Sequence, residues 1–246
     1  MPLMFAGREL PAPGDRVSVD LWRDLRAWMI ANDPDAAPMA GWSTSIVEPV
    51  DAEKLAGEIV WIILCAGKTA QAARTIEKLV WAAIHEGRPV LAAFGHRLRA
   101  GAIEFAWSER RSLFAKLAEM RDASDEDLLA WCRSLPGVGA VTCYQLAKNL
   151  GRDLAKPDIW LCRLAGIPDR PGGRVPERFA ACRDLCIPLA QATGDRIATV
   201  DSMLWLACNK GILSVDAHGG PIAYRPGAVR GRPIMSGFGF EAEAGA

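Results

Sequence analysis

Apolar residues recur three and four positions apart along most of this sequence, and stretches that alternate strictly between apolar and polar residues are rare. Such spacing lines up apolar side chains on one face of a helix. The clearest examples are residues 19–31 and 69–85. The sequence therefore predicts an all-α fold, and a chain of 246 residues is long enough to bury a large core. In the first example the apolar face comprises Leu21, Trp22, Leu25, Trp28 and Met29.

Local signals set the expected limits of several helices. Asp51 is placed to cap a helix that ends at Gly67, and Ser124 opens a capping box with Asp127. From residue 219 to the last residue, the chain is rich in Gly, Pro and Arg without periodicity, which predicts a tail. Further helices are predicted at 89–98, 108–120, 140–150, 176–193 and 195–209.

Composition excludes several classes of protein. Seven cysteines without a C-x-x-C pair argue against a disulfide framework and a zinc site, and a four-cysteine iron–sulfur loop is missing, so we expect no cofactor. The longest apolar run, residues 59–66, is too short to span a bilayer, and the N-terminus lacks a secretion signal. We therefore expect a cytoplasmic protein without a membrane partner. The formal net charge of zero gives no support for nucleic-acid binding.

Residues 135–139, LPGVG, separate two predicted helices by a connection so short that it must form a tight hairpin. Glycine permits positive φ and lets the backbone approach another surface closely. The amides of Gly137 and Gly139 lie just before the next helix, and helix N-termini bind anions such as a DNA phosphate. The same pattern also fits an ordinary helix–helix turn, or a DNA-binding hairpin without catalysis.

An aspartate follows this hairpin. Asp158 lies nineteen residues past Gly139 and directly after Pro157. Since proline imposes an extended approach to the helix IWLCRLAG, Asp158 is expected at the N-cap of that helix. Capping alone accounts for an aspartate there, but capping and catalysis are compatible roles.

The hairpin and the aspartate together resemble the helix-hairpin-helix/Gly-Pro-Asp (endonuclease III-like) superfamily of DNA glycosylases. That family has an L-P-G-x-G hairpin, then a helix, then an essential aspartate that opens the next helix. Residues 135–139 and Asp158 fall on these landmarks, and residues 58–74 match more loosely the segment before the family's wedge loop.

The resemblance implies two helical lobes with a DNA-binding cleft between them. One lobe, residues 68–155, is expected to be a six-helix barrel that contains the hairpin. The other is expected to combine residues 1–67 with 156–214, and residues 215–246 form the tail.

The resemblance also assigns roles to residues. Asp158 is the catalytic carboxylate, and a monovalent cation is held by the main-chain carbonyls of Arg133, Leu135 and Val138. Bifunctional members carry a lysine nucleophile at a position that is Val141 here, between Ala140 and Thr142. Without an amine there, no Schiff base forms, so the enzyme is expected to be monofunctional. The DNA backbone is expected to contact Gly137, Val138, Gly139 and Thr142.

Other candidates follow from their positions along the chain. Lys68 or Gln71 is a candidate to fill the vacated base stack, although both also fit exposed polar residues of a loop. Lys148, Arg152 and Lys156 could contact phosphates, or could simply be solvated. The aromatic candidates for a base pocket, each of which also fits a core position, are Trp42, Tyr144 and Trp160.

The sequence thus predicts a monomeric, monofunctional DNA glycosylase that acts on double-stranded DNA carrying a modified base. Alkylated purines are one substrate class. Bulky modified pyrimidines, such as hydroxymethylated or glucosylated cytosine in phage DNA, are another, and would make the protein a defence factor rather than a repair enzyme. The alternatives are a non-catalytic DNA-binding protein and a base-exchanging enzyme that acts on hypermodified DNA.

Overall fold

The computed structural model describes residues 4–5, 8–9, 16–169 and 175–227. Within these ranges the chain is built mainly from α-helices, which confirms the predicted all-α class. None of the described helices is both long enough and apolar enough to cross a membrane. The helices are α1 (Val19–Asn32), α2 (Ala36–Ser45), α3 (Ala52–Cys65), α4 (Ala70–His85), α5 (Val90–Phe94), α6 (Arg97–Ser108), α7 (Arg110–Glu119), α8 (Asp125–Ser134), α9 (Thr142–Asn149), α10 (Ile159–Leu164), α11 (Val175–Thr193) and α12 (Ile197–Asn209).

The described residues pack into two compact units. The hairpin unit comprises residues 47–152, with α3 to α9, and the terminal unit comprises the described residues up to 46 and from 153 to 227. The predicted division placed residues 1–67 with 156–214, and so assigned α3 to the other side of the boundary. In the structure α3 packs against α4, α6, α7 and α9, which makes it part of the hairpin unit.

Helix α3 is the centre of the hairpin unit. Its first turn is capped by Asp51, whose Oδ1 accepts a hydrogen bond from the Lys54 amide at 2.7 Å, as predicted. A helix that is apolar on most of its surface must be surrounded by other elements. The buried side chains of α3 are Leu55, Ala56, Ile59, Val60, Ile62, Ile63 and Leu64.

Two regions of the chain were not predicted correctly. The expected helix at 89–98 is interrupted at Gly95, whose φ of +53° ends α5, and a new helix, α6, begins at Arg97. Helix α2 was missed because its sequence, AAPMAGWSTS, mixes small and polar residues without an apolar period. It is stabilised instead by packing against α12.

The terminal unit is organised around α12, which packs against α2, α10 and α11. A buried ion triad ties the end of this helix to the turn between α1 and α2. The Lys210 Nζ atom lies 2.6 Å from Asp35 Oδ2 and 3.3 Å from Asp33 Oδ2. The three residues are between 1% and 3% exposed, so their charges have little access to water.

Two short antiparallel hairpins accompany the helices: β1 (Met4–Phe5) pairs with β2 (Arg8–Glu9), and β3 (Leu213–Ser214) pairs with β4 (Ala223–Tyr224). The second hairpin corrects the prediction of a tail over 215–246, since residues up to 227 are folded. The carboxylate of Asp216 accepts hydrogen bonds from the amides of His218 and Gly220, and so closes the turn between the strands. Residues 228–246 of the predicted tail lie outside the described residues.

Candidate active site

The predicted hairpin connects α8 to α9. Leu135 and Val138 are buried, whereas Pro136, Gly137 and Gly139 are exposed. Two apolar side chains therefore anchor the turn to the hairpin unit, and the residues between and after them present mainly backbone to solvent. This arrangement allows another molecule to approach the main chain closely.

Gly137 is required by both its conformation and its neighbours. Its φ of +79° lies in the left-handed region, which side-chain-bearing residues rarely adopt. A Cβ atom at this position would lie 3.0 Å from Ala102 Cβ and 3.1 Å from Ile63 Cγ1. The turn thus packs directly on α3 and α6, and no larger residue fits without displacing them.

The backbone amides of the turn differ in whether they are available to bind a DNA phosphate. The Gly139 amide donates a hydrogen bond to Thr142 Oγ1 at 2.7 Å, so this amide is not available to the DNA backbone in this arrangement. The hydroxyl of Thr142 still carries a proton that it can donate, so its predicted phosphate contact stays a prediction. Among the described residues, the amides of Gly137, Ala140 and Val141 have no protein acceptor. These amides are the ones that could receive a phosphate.

Gly137→Ala is expected to lower the free energy of unfolding by about 1–3 kcal/mol, because alanine would adopt a left-handed φ and crowd Ala102 and Ile63. Urea denaturation measures the change. Gly139→Ala is the matched control: its Cβ would meet only Thr142 Oγ1, at 3.5 Å, and its φ is not in the left-handed region. Equal losses for the two variants would contradict the structural account of Gly137.

The carbonyls predicted to hold a cation lie in the same turn. The Leu135 carbonyl accepts a hydrogen bond from the Val138 amide at 3.1 Å, which leaves its second lone pair for another partner. The cation, and its binding by the carbonyls of Arg133, Leu135 and Val138, stay predictions.

Two predictions about residues of α9 are wrong: the phosphate contact of Lys148 and the base-pocket role of Tyr144. Lys148 is only 1% exposed and Tyr144 only 6%. Burial also raises the pKa of the Tyr144 hydroxyl. In this arrangement Lys148 cannot reach a phosphate and Tyr144 offers no free ring face for a base.

The candidate wedge residues belong to the hairpin unit: Lys68 lies between α3 and α4, and Gln71 lies in the first turn of α4. Lys68 and Gln71 are both exposed, and the Lys68 Nζ atom lies 5.9 Å from the centre of the Phe94 ring. Exposed side chains at the end of α3 and the start of α4 are compatible with the predicted role. That role stays a prediction.

Asp158 lies in the terminal unit at the N-cap of α10, as predicted. Its Oδ1 atom accepts hydrogen bonds from the amides of Trp160 at 2.9 Å and Leu161 at 3.1 Å. Its backbone is extended, and the preceding Pro157 is buried. One carboxylate oxygen is thus held rigidly, and the charge benefits from the positive end of the helix dipole.

Lys156 has a partner in this site that the sequence analysis did not predict. Its Nζ atom lies 3.7 Å from Asp158 Oδ2, with 24% of the lysine side chain and 12% of the aspartate side chain exposed. The Asp158 amide donates a hydrogen bond to the Lys156 carbonyl at 2.8 Å, which closes a three-residue turn about Pro157. The K-P-D spacing alone did not predict this ion pair, and the phosphate contact of Lys156 stays a prediction.

Two predicted pocket residues belong to the same unit as Asp158. Trp160 is half-buried, and the Arg163 guanidinium lies 5.1 Å from the centre of its ring. Trp42, on α2, is also half-buried. Both residues are partly exposed, and their roles in a base pocket stay predictions.

Buried thiols lie close to Asp158. The Cys162 and Cys182 sulfur atoms are 3.9 Å apart. Burial and then the hydrogen bond with Cys162 raise the pKa of Cys182. Burial and then the negative charge of Asp158 raise the pKa of Cys208 to about 12. These thiols are therefore un-ionised and poor nucleophiles. Within the described ranges, no three side chains of His, Cys, Asp or Glu are placed to hold a metal ion.

The hairpin unit contains a half-buried carboxylate of its own. Burial raises the pKa of Glu58, on α3. The Asn149 side-chain amide donates a hydrogen bond to Glu58 Oε2 at 2.7 Å, and Gln145 donates one to Asn149 in turn. This network joins the second helix of the hairpin to α3 and so fixes the orientation of the turn.

Comparison with known proteins supports the fold. No family model matches the chain, and no curated protein matches it. A solved structure, the 8-oxoguanine DNA glycosylase of Thermotoga maritima, is similar with a TM-score of 0.54 at 22% sequence identity. The match covers 80% of this chain and 98% of that chain. This likeness shows that the two proteins share a fold, in agreement with the predicted all-α class.

Proposed function

We propose that this chain is a DNA glycosylase in which Asp158 drives hydrolysis of the bond between a flipped-out base and its deoxyribose. The observation that carries the proposal is the held carboxylate of Asp158, with one oxygen bound by two amides at a helix N-terminus. The exposed backbone of the hairpin turn and the fold shared with a solved DNA glycosylase support it.

The reaction requires extrusion of the target nucleotide, because a base inside a duplex cannot be reached. As the bond between the base and C1′ breaks, its electron pair leaves with the base and positive charge develops on the sugar. The Asp158 carboxylate stabilises this charge and orients a water molecule. The water oxygen then bonds to C1′ and its proton passes to the carboxylate.

The proposed enzyme is monofunctional and leaves the abasic strand intact. The position of the family's lysine nucleophile is occupied by Val141, and neither of its neighbours supplies an amine: Ala140 has none, and the Thr142 hydroxyl is bonded to the Gly139 amide. Without an amine at this position, no Schiff base forms there.

Three classes of modified base are candidate substrates of the proposed enzyme. Half-buried Trp42 and Trp160 favour flat bases that stack on indole rings, such as an alkylated purine. Bulky modified pyrimidines of phage DNA are the second class. The third is 8-oxoguanine, the base named for the Thermotoga protein. We propose double-stranded DNA as the partner, with the protein acting as a monomer in the cytoplasm.

The test is to incubate the protein with duplexes that each carry one of these bases, and with phage genomic DNA, and to detect released free base by mass spectrometry. We expect free base together with a strand that breaks only after alkali treatment. Retarded DNA without released base would instead indicate a binding protein. Release that depends on an added incoming group would indicate an exchanging enzyme.

A further inference from the structure

The two oxygens of the Asp158 carboxylate meet different partners. The amides of Trp160 and Leu161 bind Oδ1 and fix the plane of the carboxylate. The other oxygen, Oδ2, faces the Lys156 ammonium at 3.7 Å. Among the described residues, Lys156 is the cation that forms an ion pair with this carboxylate. Lys156 is therefore the counter-ion of Asp158 in the free protein.

This ion pair opposes the proposed reaction as it stands. The carboxylate must stabilise a sugar on which positive charge is developing. An ammonium 3.7 Å from Oδ2 weakens the field of the carboxylate and repels the sugar. The phosphates on either side of a flipped nucleotide offer a lysine an alternative anion. The flexible four-carbon stem of lysine allows such an exchange of partner.

We propose that Lys156 is an exchangeable counter-ion, which pairs with Asp158 in the free protein and transfers to a DNA phosphate when the strand docks. Docking then exposes the full charge of Oδ2 to the sugar, so that the carboxylate is active only on bound DNA. The inference deepens the proposed function and rests on it.

The burial of the pair supports this exchange. Lys156 keeps 24% of its side chain exposed, so the ammonium has a route to solvent, whereas Asp158 keeps only 12%. The neighbouring thiols of Cys182 and Cys208 are neutral, and the Arg163 guanidinium is paired with Asp169. None of these groups supplies a free cation to replace Lys156 when it leaves.

A double-mutant cycle in DNA affinity tests the proposal without requiring catalysis. The probe is a duplex that contains a tetrahydrofuran abasic-site analogue. Asp158→Asn releases the lysine to phosphate, and we expect it to tighten binding by about three- to ten-fold. In a Lys156→Met background the same substitution should change affinity by less than about two-fold. Lys156→Met alone should lower the slope of log affinity against log salt by about one.

Controls separate this mechanism from general charge effects. Lys54→Met removes an exposed lysine of the hairpin unit, and Asp51→Asn alters another N-cap aspartate. Neither substitution should change the effect of Asp158→Asn on DNA affinity. If Asp158→Asn tightens DNA binding equally with Lys156 and with Met at position 156, its effect is simple relief of repulsion between Asp158 and phosphates, and the proposal is overturned. If Asp158→Asn tightens DNA binding in neither case, the proposal is also overturned. If Lys156→Met fails to fold, Lys156→Gln takes its place.

Two further outcomes have distinct meanings. A borohydride-trapped complex between the protein and abasic DNA that disappears in Lys156→Met would overturn the proposal, because Lys156 would then be a nucleophile. Release of no base from any duplex by the unaltered protein, together with a positive cycle, would reject the proposed glycosylase and retain the exchange of counter-ions.

Discussion

Asp158→Asn is expected to lower the rate of base release at saturating DNA by about 10²–10³-fold, while the protein stays folded. The asparagine side-chain oxygen can still accept the amides of Trp160 and Leu161, so the N-cap of α10 survives. What is lost is the negative charge that stabilises the sugar cation. Single-turnover measurements with a substrate identified from the base panel give the rate, and thermal unfolding checks the fold.

Asp51→Asn provides the matched control for this experiment. Asp51 is also an N-cap aspartate whose Oδ1 accepts an amide hydrogen bond, but it is exposed and caps α3. This variant should release base at the rate of the unaltered protein. Unchanged release by Asp158→Asn would remove Asp158 from the mechanism and leave only its structural role.

Lys210→Met is expected to lower the free energy of unfolding by about 3–5 kcal/mol. The substitution leaves Asp33 and Asp35 buried together without their shared cation. Two carboxylates in a site with little access to water repel each other and lose their compensation for desolvation. Since folded proteins are stable by only about 5–15 kcal/mol, a loss of this size is easily seen in urea denaturation.

Lys116→Met is the control for the loss of a lysine as such. Lys116 pairs with Glu119 on the surface of α7, with both side chains more than half exposed, and its removal should cost less than about 1 kcal/mol. Replacing Asp33 and Asp35 by asparagine in the Lys210→Met background should restore part of the lost stability. A Lys210→Met variant as stable as Lys116→Met would show that the triad contributes little.

Helices with a regular apolar period were predictable from the sequence, and those whose stability comes from neighbours were not. The capped helices that follow Asp51 and Ser124 begin where predicted, because a side-chain acceptor sets the first turn locally. Helix α2 has no such period, and its position depends on α12, which lies about 150 residues along the chain. The Asp216 turn was missed because a glycine-rich sequence is typical of a tail, and the pairing of β3 with β4 is visible only in the structure.

The candidate site was predictable at the level of landmarks but not of contacts. The hairpin and Asp158 were found from their spacing, since glycine and N-cap aspartate have strong local preferences. Lys148 and Tyr144 were placed in the site because of their positions along α9, and the structure buries both. Which face of a short helix is covered depends on elements distant in sequence, and one helix on its own does not reveal it.

Two selection pressures act on the side chain that caps α10. Asp158 both closes the first turn of that helix and supplies the proposed catalytic charge, so most replacements would harm folding and chemistry together. Asparagine is an exception, because it retains the acceptor and discards the charge. A related protein that has lost base excision but keeps the fold should therefore carry asparagine at position 158. Asparagine at this position would identify inactive paralogues in genome surveys.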